Sequence, residues 1–122
     1  MTTVGELMST DLIVVEPTAT VSEAAALMGS HRAGSVVVLE DGKLQGIFTE
    51  RDVVRALAAY FDAAKHPVKE WMALDPKTVS PDTDEQEALN IMLDNSFRHL
   101  PVVDGGSVVG MISIRDISRA AS

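Results

Sequence analysis

One short pattern occurs twice in the chain and places a hydroxyl group three residues before a carboxylate. The first copy is residues 46–52 (GIFTERD) and the second is residues 110–116 (GMISIRD), 64 positions later. Each copy predicts a strand that runs into a helix, with the hydroxyl residue at the N-cap and the Asp in the first helical turn. The hydroxyl, the carboxylate and the helix N-terminus would then converge on one point, which suits a ribose with a phosphate beside it.

The same pattern is also an ordinary capping box, which stabilises a helix end and needs no ligand. Two similar patterns occur at residues 20–23 (TVSE) and 84–87 (DEQE). A proline and polar residues precede both of these patterns. The patterns at residues 46–52 and 110–116, in contrast, follow an apolar strand pattern. We therefore interpret residues 20–23 and 84–87 as plain caps, and the two Gly-to-Asp motifs as candidate binding residues.

The duplication extends far beyond the two motifs. Residues 4–57 align with residues 68–121 without a gap, and 16 of the 54 aligned pairs are identical, including Met8/Met72 and Pro17/Pro81. Many other pairs exchange one apolar residue for another. One unit has therefore been copied, and we expect one repeat in residues 1–61 and a second in residues 62–122.

Each repeat resembles a CBS (cystathionine-β-synthase-type) domain, and the pair resembles a Bateman module. Besides the two Gly-to-Asp motifs, the resemblance lies in the segments 4–11 and 68–75 and in residues 98–104 (RHLPVVD). It covers about residues 4–121 and implies an α/β (α+β) fold of two β-α-β-β-α repeats. The repeats would pack with pseudo-two-fold symmetry, and a cleft between them would receive both motifs.

Local patterns predict the elements of each repeat. Apolar residues at helical spacing predict helices over residues 20–30 and 84–95. Turn signals at Asp41-Gly42 and Gly105-Gly106 predict two hairpins. The strands of these hairpins are expected at residues 35–39 with 43–48, and 100–103 with 108–112.

Composition excludes several classes of function. The chain has 122 residues, 46% of them hydrophobic, which is enough for a packed core. Its 18 acidic and 10 basic residues give a net charge of −8, which disfavours binding to nucleic acid. Without cysteine it has no thiol nucleophile and no cysteine metal ligand. Its three histidines lie in unrelated parts of the repeat, so we expect no metal site.

The apolar run at residues 36–39 is far too short to span a membrane. The N-terminal residues lack the basic start and apolar core of a signal peptide. We expect a cytoplasmic protein that has no contact with membranes.

The resemblance assigns roles to the duplicated hydroxyl and Asp residues. In CBS modules the Asp that matches Asp52 and Asp116 accepts hydrogen bonds from the ribose hydroxyls, a task that suits the two oxygens of a carboxylate. Thr49 and Ser113 match the residue that contacts ribose or phosphate. The alternative is that these four residues only cap helices.

The resemblance also implies two unequal sites, each built from both repeats. Basic residues that hold phosphate match Arg98 and His99, whereas the first repeat has Gly34 and Ser35 there; the alternative is a solvent-exposed basic pair. Segments that hold adenine match residues 10–13 and 74–77, although strand packing would also explain most of their side chains. One site would join Ser113, Asp116, Arg98 and His99 to Thr10 and Ile13. The other would join Thr49, Asp52, Gly34 and Ser35 to Lys77 and its neighbours.

We predict a regulatory module that binds an adenosine-containing ligand (AMP, ADP, ATP or S-adenosylmethionine), needs no other cofactor and signals to an effector protein. The alternative is a homodimeric scaffold whose clefts are empty or do not signal. An enzyme is disfavoured, because neither hydroxyl–Asp pair has a histidine base at a matching position of the repeat. We also predict a homodimer formed through apolar residues exposed on the helices after the motifs: Val53, Val54, Leu57, Ile117 and Ala121.

Overall fold

The computed structural model describes residues 1–121 and shows a mixed α/β fold, as predicted. Short 3₁₀ helices lie at Ala63–Lys65 and Val68–Glu70. The helices are α1 (Val4–Leu7), α2 (Val21–His31), α3 (Glu50–Ala59), α4 (Glu85–Asn95) and α5 (Ile114–Ala120). The strands are β1 (Val14–Val15), β2 (Ser35–Glu40), β3 (Lys43–Thr49), β4 (Ala73–Leu74), β5 (His99–Asp104) and β6 (Ser107–Ser113).

The chain forms two compact units that do not follow the boundaries of the repeats. Residues 13–75 form one unit, here the central unit. Residues 1–12 join the chain from residue 76 onward in the other, here the terminal unit. Each repeat therefore gives its opening segment to the unit that holds the motif of the other repeat. The predicted division into residues 1–61 and 62–122 rests on the duplication in the sequence and stays a prediction. The two compact units reflect how the opening segments are paired with the strands.

The central unit contains a four-stranded sheet in the order β1-β2-β3-β4. β1 lies parallel to β2, and the β2–β3 hairpin is antiparallel. β4 pairs antiparallel with β3, so that Gly46 faces Leu74 and Ile47 faces Ala73. Phe48 is fully buried in the core of this unit, where α2 contributes Val21, Ala24 and Met28.

The terminal unit repeats this plan. β5 and β6 form an antiparallel hairpin, and Val79 lies beside Val102 as a parallel bridge. Ser9 pairs antiparallel with Met111 of β6, at the position that Ala73 occupies beside Ile47 in the central unit. The core of this unit is formed by buried apolar residues of α1, α4, β5, β6 and α5: Val4, Ala88, Met92, Leu100, Val102, Ile112 and Ile117.

The predicted hairpin turns are confirmed, and Thr20 and Asp84 cap helices as predicted. Asp41 and Gly42 have φ values of 52° and 76°, and Gly105 and Gly106 have 59° and 84°, as expected of two-residue turns with positive φ. The Thr20 side chain accepts a hydrogen bond from the Glu23 N–H at 3.0 Å. The Asp84 carboxylate accepts one from the Gln86 N–H at 3.2 Å. These caps start α2 and α4 where the sequence predicted.

The glycine of each Gly-to-Asp motif lies where the opening segment of the other repeat crosses the strand. A Cβ atom on Gly46 would lie 2.5 Å from the Ala73 carbonyl oxygen and 2.9 Å from the Met72 sulfur. One on Gly110 would lie 2.9 Å from the Ser9 carbonyl oxygen and 2.6 Å from the Met8 sulfur. Only glycine permits this backbone contact without a shift, so the same residue that begins each motif also admits the exchanged segment.

The apolar surface predicted for the helices after the motifs is correct only in part. Val54 and Leu57 of α3 are 67% and 51% exposed, and Ala121 is exposed after α5. Ile117 was expected on this surface, and that prediction is wrong, because its side chain is 8% exposed and belongs to the terminal core. Val53, the aligned residue of α3, is partly buried against the central core. Val53 of α3 and Ile117 of α5 therefore each face the core of their own unit.

Within residues 1–121, no helix is both long enough and apolar enough to cross a membrane.

We predict that Gly46→Ala and Gly110→Ala each lower the free energy of unfolding by about 1–3 kcal/mol, the usual cost of overpacking a well-packed site. The added methyl group would press on a backbone carbonyl, which cannot rotate away as a flexible side chain can. Urea unfolding followed by circular dichroism measures the loss.

Gly29→Ala is the matched control, because Gly29 lies inside α2 and its added Cβ would meet nothing within 4 Å. Alanine there should stabilise the chain by roughly 0.5–1 kcal/mol through helix propensity. If all three alanine variants were equally stable, the crossing would not be the reason for Gly46 and Gly110.

Candidate functional site

The first motif lies at the junction of β3 and α3 in the central unit. The backbone N–H of Thr49 donates to Asp52 Oδ2 at 2.9 Å, and the Thr49 hydroxyl lies 3.2 Å from the same oxygen. Thr49 is the N-cap of α3, and Asp52 is the third residue of that helix. The capping box therefore forms as predicted, and it fixes the Asp52 carboxylate through one of its two oxygens.

The other oxygen of Asp52 is held by an arginine of the same helix. Arg55 Nη1 donates to Asp52 Oδ1 at 2.8 Å, and the Asp52 side chain is only 10% exposed. The guanidinium also lies over the Trp71 ring, with its Cζ atom 5.7 Å from the ring centroid, and Nη1 lies 3.4 Å from the Trp71 carbonyl oxygen. Both oxygens of this carboxylate thus have partners within the central unit.

Trp71 is itself fixed by an aromatic cluster. Its ring is nearly parallel to that of His66, with an interplanar angle of 22° and a centroid distance of 6.4 Å, and it meets Tyr60 edge-on at 6.1 Å. His66 Nε2 lies 3.3 Å from Asp62 Oδ1. His66 Nδ1 lies 3.2 Å from Glu70 Oε2, although the geometry is not that of a hydrogen bond. The Trp71 ring, over which the Arg55 guanidinium lies, is thus packed against two other aromatic rings.

The second motif, at the junction of β6 and α5 in the terminal unit, has the same capping box but a more open carboxylate. The Ser113 N–H donates to Asp116 Oδ2 at 2.8 Å, and the Ser113 hydroxyl accepts from the Asp116 N–H at 3.1 Å. Among residues 1–121, no group donates a hydrogen bond to Asp116 Oδ1. Within this part of the chain, Asp116 Oδ1 thus lacks the donor that Asp52 Oδ1 has in Arg55.

The two carboxylates differ although both are followed by arginine at the same spacing. Arg119 is aligned with Arg55, yet it forms no ion pair with Asp116 among the described residues, 1–121. The residue aligned with Trp71 is Leu7, which packs against the terminal core and offers no ring to a guanidinium. The aromatic platform in the central unit is thus one clear physical difference between the two motifs.

The residues predicted to hold phosphate lie beside the second motif. Arg98 accepts a hydrogen bond from the Ile114 N–H on its carbonyl oxygen at 3.0 Å, and His99 is the cross-strand partner of Ser113. The Arg98 side chain is exposed. In the central unit Gly34 and Ser35 occupy the same places beside Glu50 and Thr49, without a charged group.

The predicted adenine-holding segments divide at the boundary of the units. Thr10 is exposed and follows Ser9, whose N–H and C=O both pair with Met111 at 2.9 Å, so Thr10 belongs to the unit of Ser113 and Asp116. Ile13 is buried in the central core and accepts from the Val37 N–H at 2.8 Å. Lys77 is exposed and belongs to the terminal unit, outside the unit of Asp52.

Sequence reasoning missed the contact of Arg55 with Asp52 and Trp71. Arginine is present in both repeats, so the duplication suggested no special role for Arg55. The distinguishing signal was the aligned pair Trp71 and Leu7. Within residues 1–121, no group of His, Cys, Asp and Glu side chains is arranged to hold a metal ion.

The family model of the CBS domain matches residues 4–59 and 68–122. The chain belongs to the CBS domain family and carries two tandem copies of the domain. An uncharacterized 17.7 kDa protein from Acidianus ambivalens is 44% identical over 121 residues, which are 98% of this chain and 73% of that protein. The crystal structure of the CBS-domain containing protein ATU1752 from Agrobacterium tumefaciens has a TM-score of 0.94 at 33% identity, covering 99% of this chain and 100% of that chain.

Two further structures of CBS proteins contain adenosyl compounds. The CBS domain pair of protein MJ0100, in complex with 5′-methylthioadenosine and S-adenosyl-L-methionine, has a TM-score of 0.90 at 28% identity, covering 99% of this chain and 96% of that chain. CBSX2 in complex with AMP has a TM-score of 0.84 at 27% identity, covering 99% of this chain and 96% of that chain.

Proposed function

We propose that this chain is a regulatory module that binds an adenosine-containing ligand and passes the signal to another protein. The observation that carries the proposal is the open oxygen of Asp116, next to the Ser113 hydroxyl. A ribose offers two neighbouring hydroxyl donors, and a fixed carboxylate with a free oxygen is a suitable acceptor for them. The adenosyl ligands of the MJ0100 and CBSX2 structures support this class of ligand.

The terminal unit supplies further groups that fit such a ligand. The exchanged segment brings Thr10 to β6, the strand that ends at Ser113. Arg98 and His99 precede or begin β5, on the side of the hairpin where β6 meets α5. A hydroxyl, a carboxylate and two basic residues at one end of a hairpin suit a nucleoside with one or more phosphates. We therefore assign AMP or a longer adenine nucleotide first to the site at Asp116.

We assign no catalytic step to the chain. The Ser113 hydroxyl accepts a hydrogen bond from the Asp116 N–H, and the Thr49 hydroxyl lies 3.2 Å from Asp52 Oδ2. Each hydroxyl therefore serves its own capping box. Ligand binding can then act only by favouring one state of the protein over another. The effector protein and a cytoplasmic location stay predictions.

Asp116→Asn should weaken binding of adenosine and AMP by about tenfold or more, equivalent to roughly 1.4 kcal/mol. Asparagine keeps the size of the side chain and one capping oxygen, but it removes the charge and one acceptor. The free energy of unfolding should change by less than about 1 kcal/mol, the usual contribution of a cap. Isothermal titration calorimetry and urea unfolding measure the two effects.

Asp84→Asn is the matched control, because Asp84 caps α4 through the Gln86 N–H and lies outside both Gly-to-Asp motifs. It should leave ligand affinity unchanged. If Asp116→Asn lowers stability but leaves affinity intact, capping is the whole role of Asp116. If no adenosyl compound binds the unmodified chain, the scaffold interpretation replaces the proposal.

Arg98→Ala should weaken AMP binding by about tenfold, because a charge-assisted contact to phosphate contributes roughly 1.5–3 kcal/mol. Adenosine has no phosphate, so its affinity should stay the same. AMP affinity of the unmodified chain should also fall as salt rises. An equal loss for adenosine and AMP would show that Arg98 acts on the fold of the site and not on phosphate.

We also propose that the module forms homodimers through the exposed apolar face of α3 and the residues that follow it. Val54 and Leu57 lie on this face, and Phe61 after the helix is 100% exposed. Exposed apolar residues that cluster in this way are typical of an interaction surface.

Light scattering at micromolar concentration should give twice the 13.0 kDa mass of the chain. The double variant Val54→Glu and Leu57→Glu should be a folded monomer, because both side chains already lie in solvent. Leu93→Glu, at an exposed position of α4, is the control and should remain dimeric. A monomeric unmodified chain would contradict the proposal.

A further inference from the structure

We propose that Arg55 is an intramolecular competitor for the ligand at Asp52, so that the Asp52 site binds adenosine only when the guanidinium is displaced. This inference rests on the proposed function, since it concerns the same kind of carboxylate. It concerns the affinity of the Asp52 site for the nucleoside itself and is independent of any phosphate contact.

The geometry of the carboxylate carries the first step. Asp52 Oδ2 already receives the Thr49 N–H and lies against the Thr49 hydroxyl, and Oδ1 receives Arg55 Nη1 at 2.8 Å. A ribose diol needs acceptor positions on both oxygens, or two on one of them. The charge-assisted bond from Arg55 takes one of the two acceptor positions of Oδ1, so only one position is left for the two hydroxyl groups of a ribose. Ribose and Arg55 therefore compete for Asp52 Oδ1.

The surroundings of Arg55 make this competition reversible. Its side chain is 54% exposed, whereas that of Asp52 is 10% exposed. The guanidinium can consequently move into solvent without opening the central core. The Trp71 ring and carbonyl oxygen favour the position in which Arg55 bonds to Asp52. In this position the Cζ atom of Arg55 lies 5.7 Å from the ring centroid. Displacement costs these contacts and the ion pair together.

The second motif has the same Asp and Arg but, in the described part of the chain, lacks an aromatic ring beneath the arginine. Asp116 keeps the capping box and has arginine at the same spacing, but Oδ1 receives no hydrogen bond among residues 1–121. Leu7 stands at the position aligned with Trp71. The two carboxylates thus differ in their readiness to accept a ribose, even for a ligand that carries no charge.

Adenosine titrations in the Asp116→Asn background isolate the Asp52 site. In this background Arg55→Ala should raise adenosine affinity by about tenfold. The ligand then no longer has to break the charge-assisted hydrogen bond between Arg55 and Asp52. Arg119→Ala is the matched control at the aligned position and should change nothing. Arg55→Lys keeps a cation within reach of Asp52 and should retain the low affinity.

A salt titration gives a readout that a purely structural role would not move. Adenosine is uncharged, so salt can act on its binding mainly through the Arg55–Asp52 pair. Rising salt should strengthen adenosine binding in the Asp116→Asn background, and Arg55→Ala should abolish this dependence. Unchanged or weaker adenosine binding in Arg55→Ala would overturn the inference.

Trp71→Leu tests whether the Trp71 ring holds Arg55 on Asp52. It leaves Asp52 paired, in case Arg55→Ala fails to fold. It introduces the residue found at the aligned position 7 and should raise adenosine affinity by about threefold, because Arg55 loses its platform but keeps its charge. If the folded Trp71→Leu variant gained no adenosine affinity, this would also count against the proposed competition. If no adenosyl compound bound the unmodified chain, the proposed function would be refuted. If Asp116→Asn removed one site but Arg55→Ala had no effect, only this inference would be refuted.

Discussion

The structure depends on one repeated contact, the crossing of an opening segment over the glycine of a Gly-to-Asp motif. At Gly110 the backbone of Ser9 pairs with Met111 through two hydrogen bonds of 2.9 Å, and at Gly46 the backbone of Ala73 pairs with Ile47. Any side chain at these glycines would collide with a carbonyl oxygen. The crossing places the opening segment of one repeat on the strand that leads to the carboxylate of the other. Neither repeat alone therefore contains all the backbone around its own motif.

Much of the fold was predictable because its signals are local. Asp-Gly and Gly-Gly turns require positive φ, and Thr20 and Asp84 satisfy helix N–H groups a few residues away, so the chain marks these features within short windows. The exchange was implied by the resemblance to CBS domains and not by the residue pattern. β4 contains only Ala73 and Leu74, and such a short strand has too few side chains to indicate which strand it pairs with.

The candidate site was predictable to the level of its residue types but not of their contacts. The hydroxyl and carboxylate of each capping box follow from spacing along a helix, and both boxes formed. The exposure of Ile117 was predicted wrongly, because its place on α5 turns it toward Val4, Ala88 and the other terminal core residues. The contact of Arg55 with Trp71 joins residues 16 positions apart, and it depends on the two 3₁₀ helices that separate them. No local pattern specifies that contact.

Duplication gave both repeats the same Asp and Arg, and the environment of each pair then decided what the carboxylate can do. A local motif ensures that the carboxylate is fixed to its helix, because the capping bonds lie within four residues. The second oxygen of Asp52 receives Arg55, which lies over Trp71. That of Asp116 receives no hydrogen bond among residues 1–121, and Leu7 stands at the position aligned with Trp71. The competition that we propose between Arg55 and ribose would therefore depend on one aromatic side chain outside the motif. The two copies of the motif thus present different carboxylates, although their hydroxyl, Asp and Arg residues are the same in type.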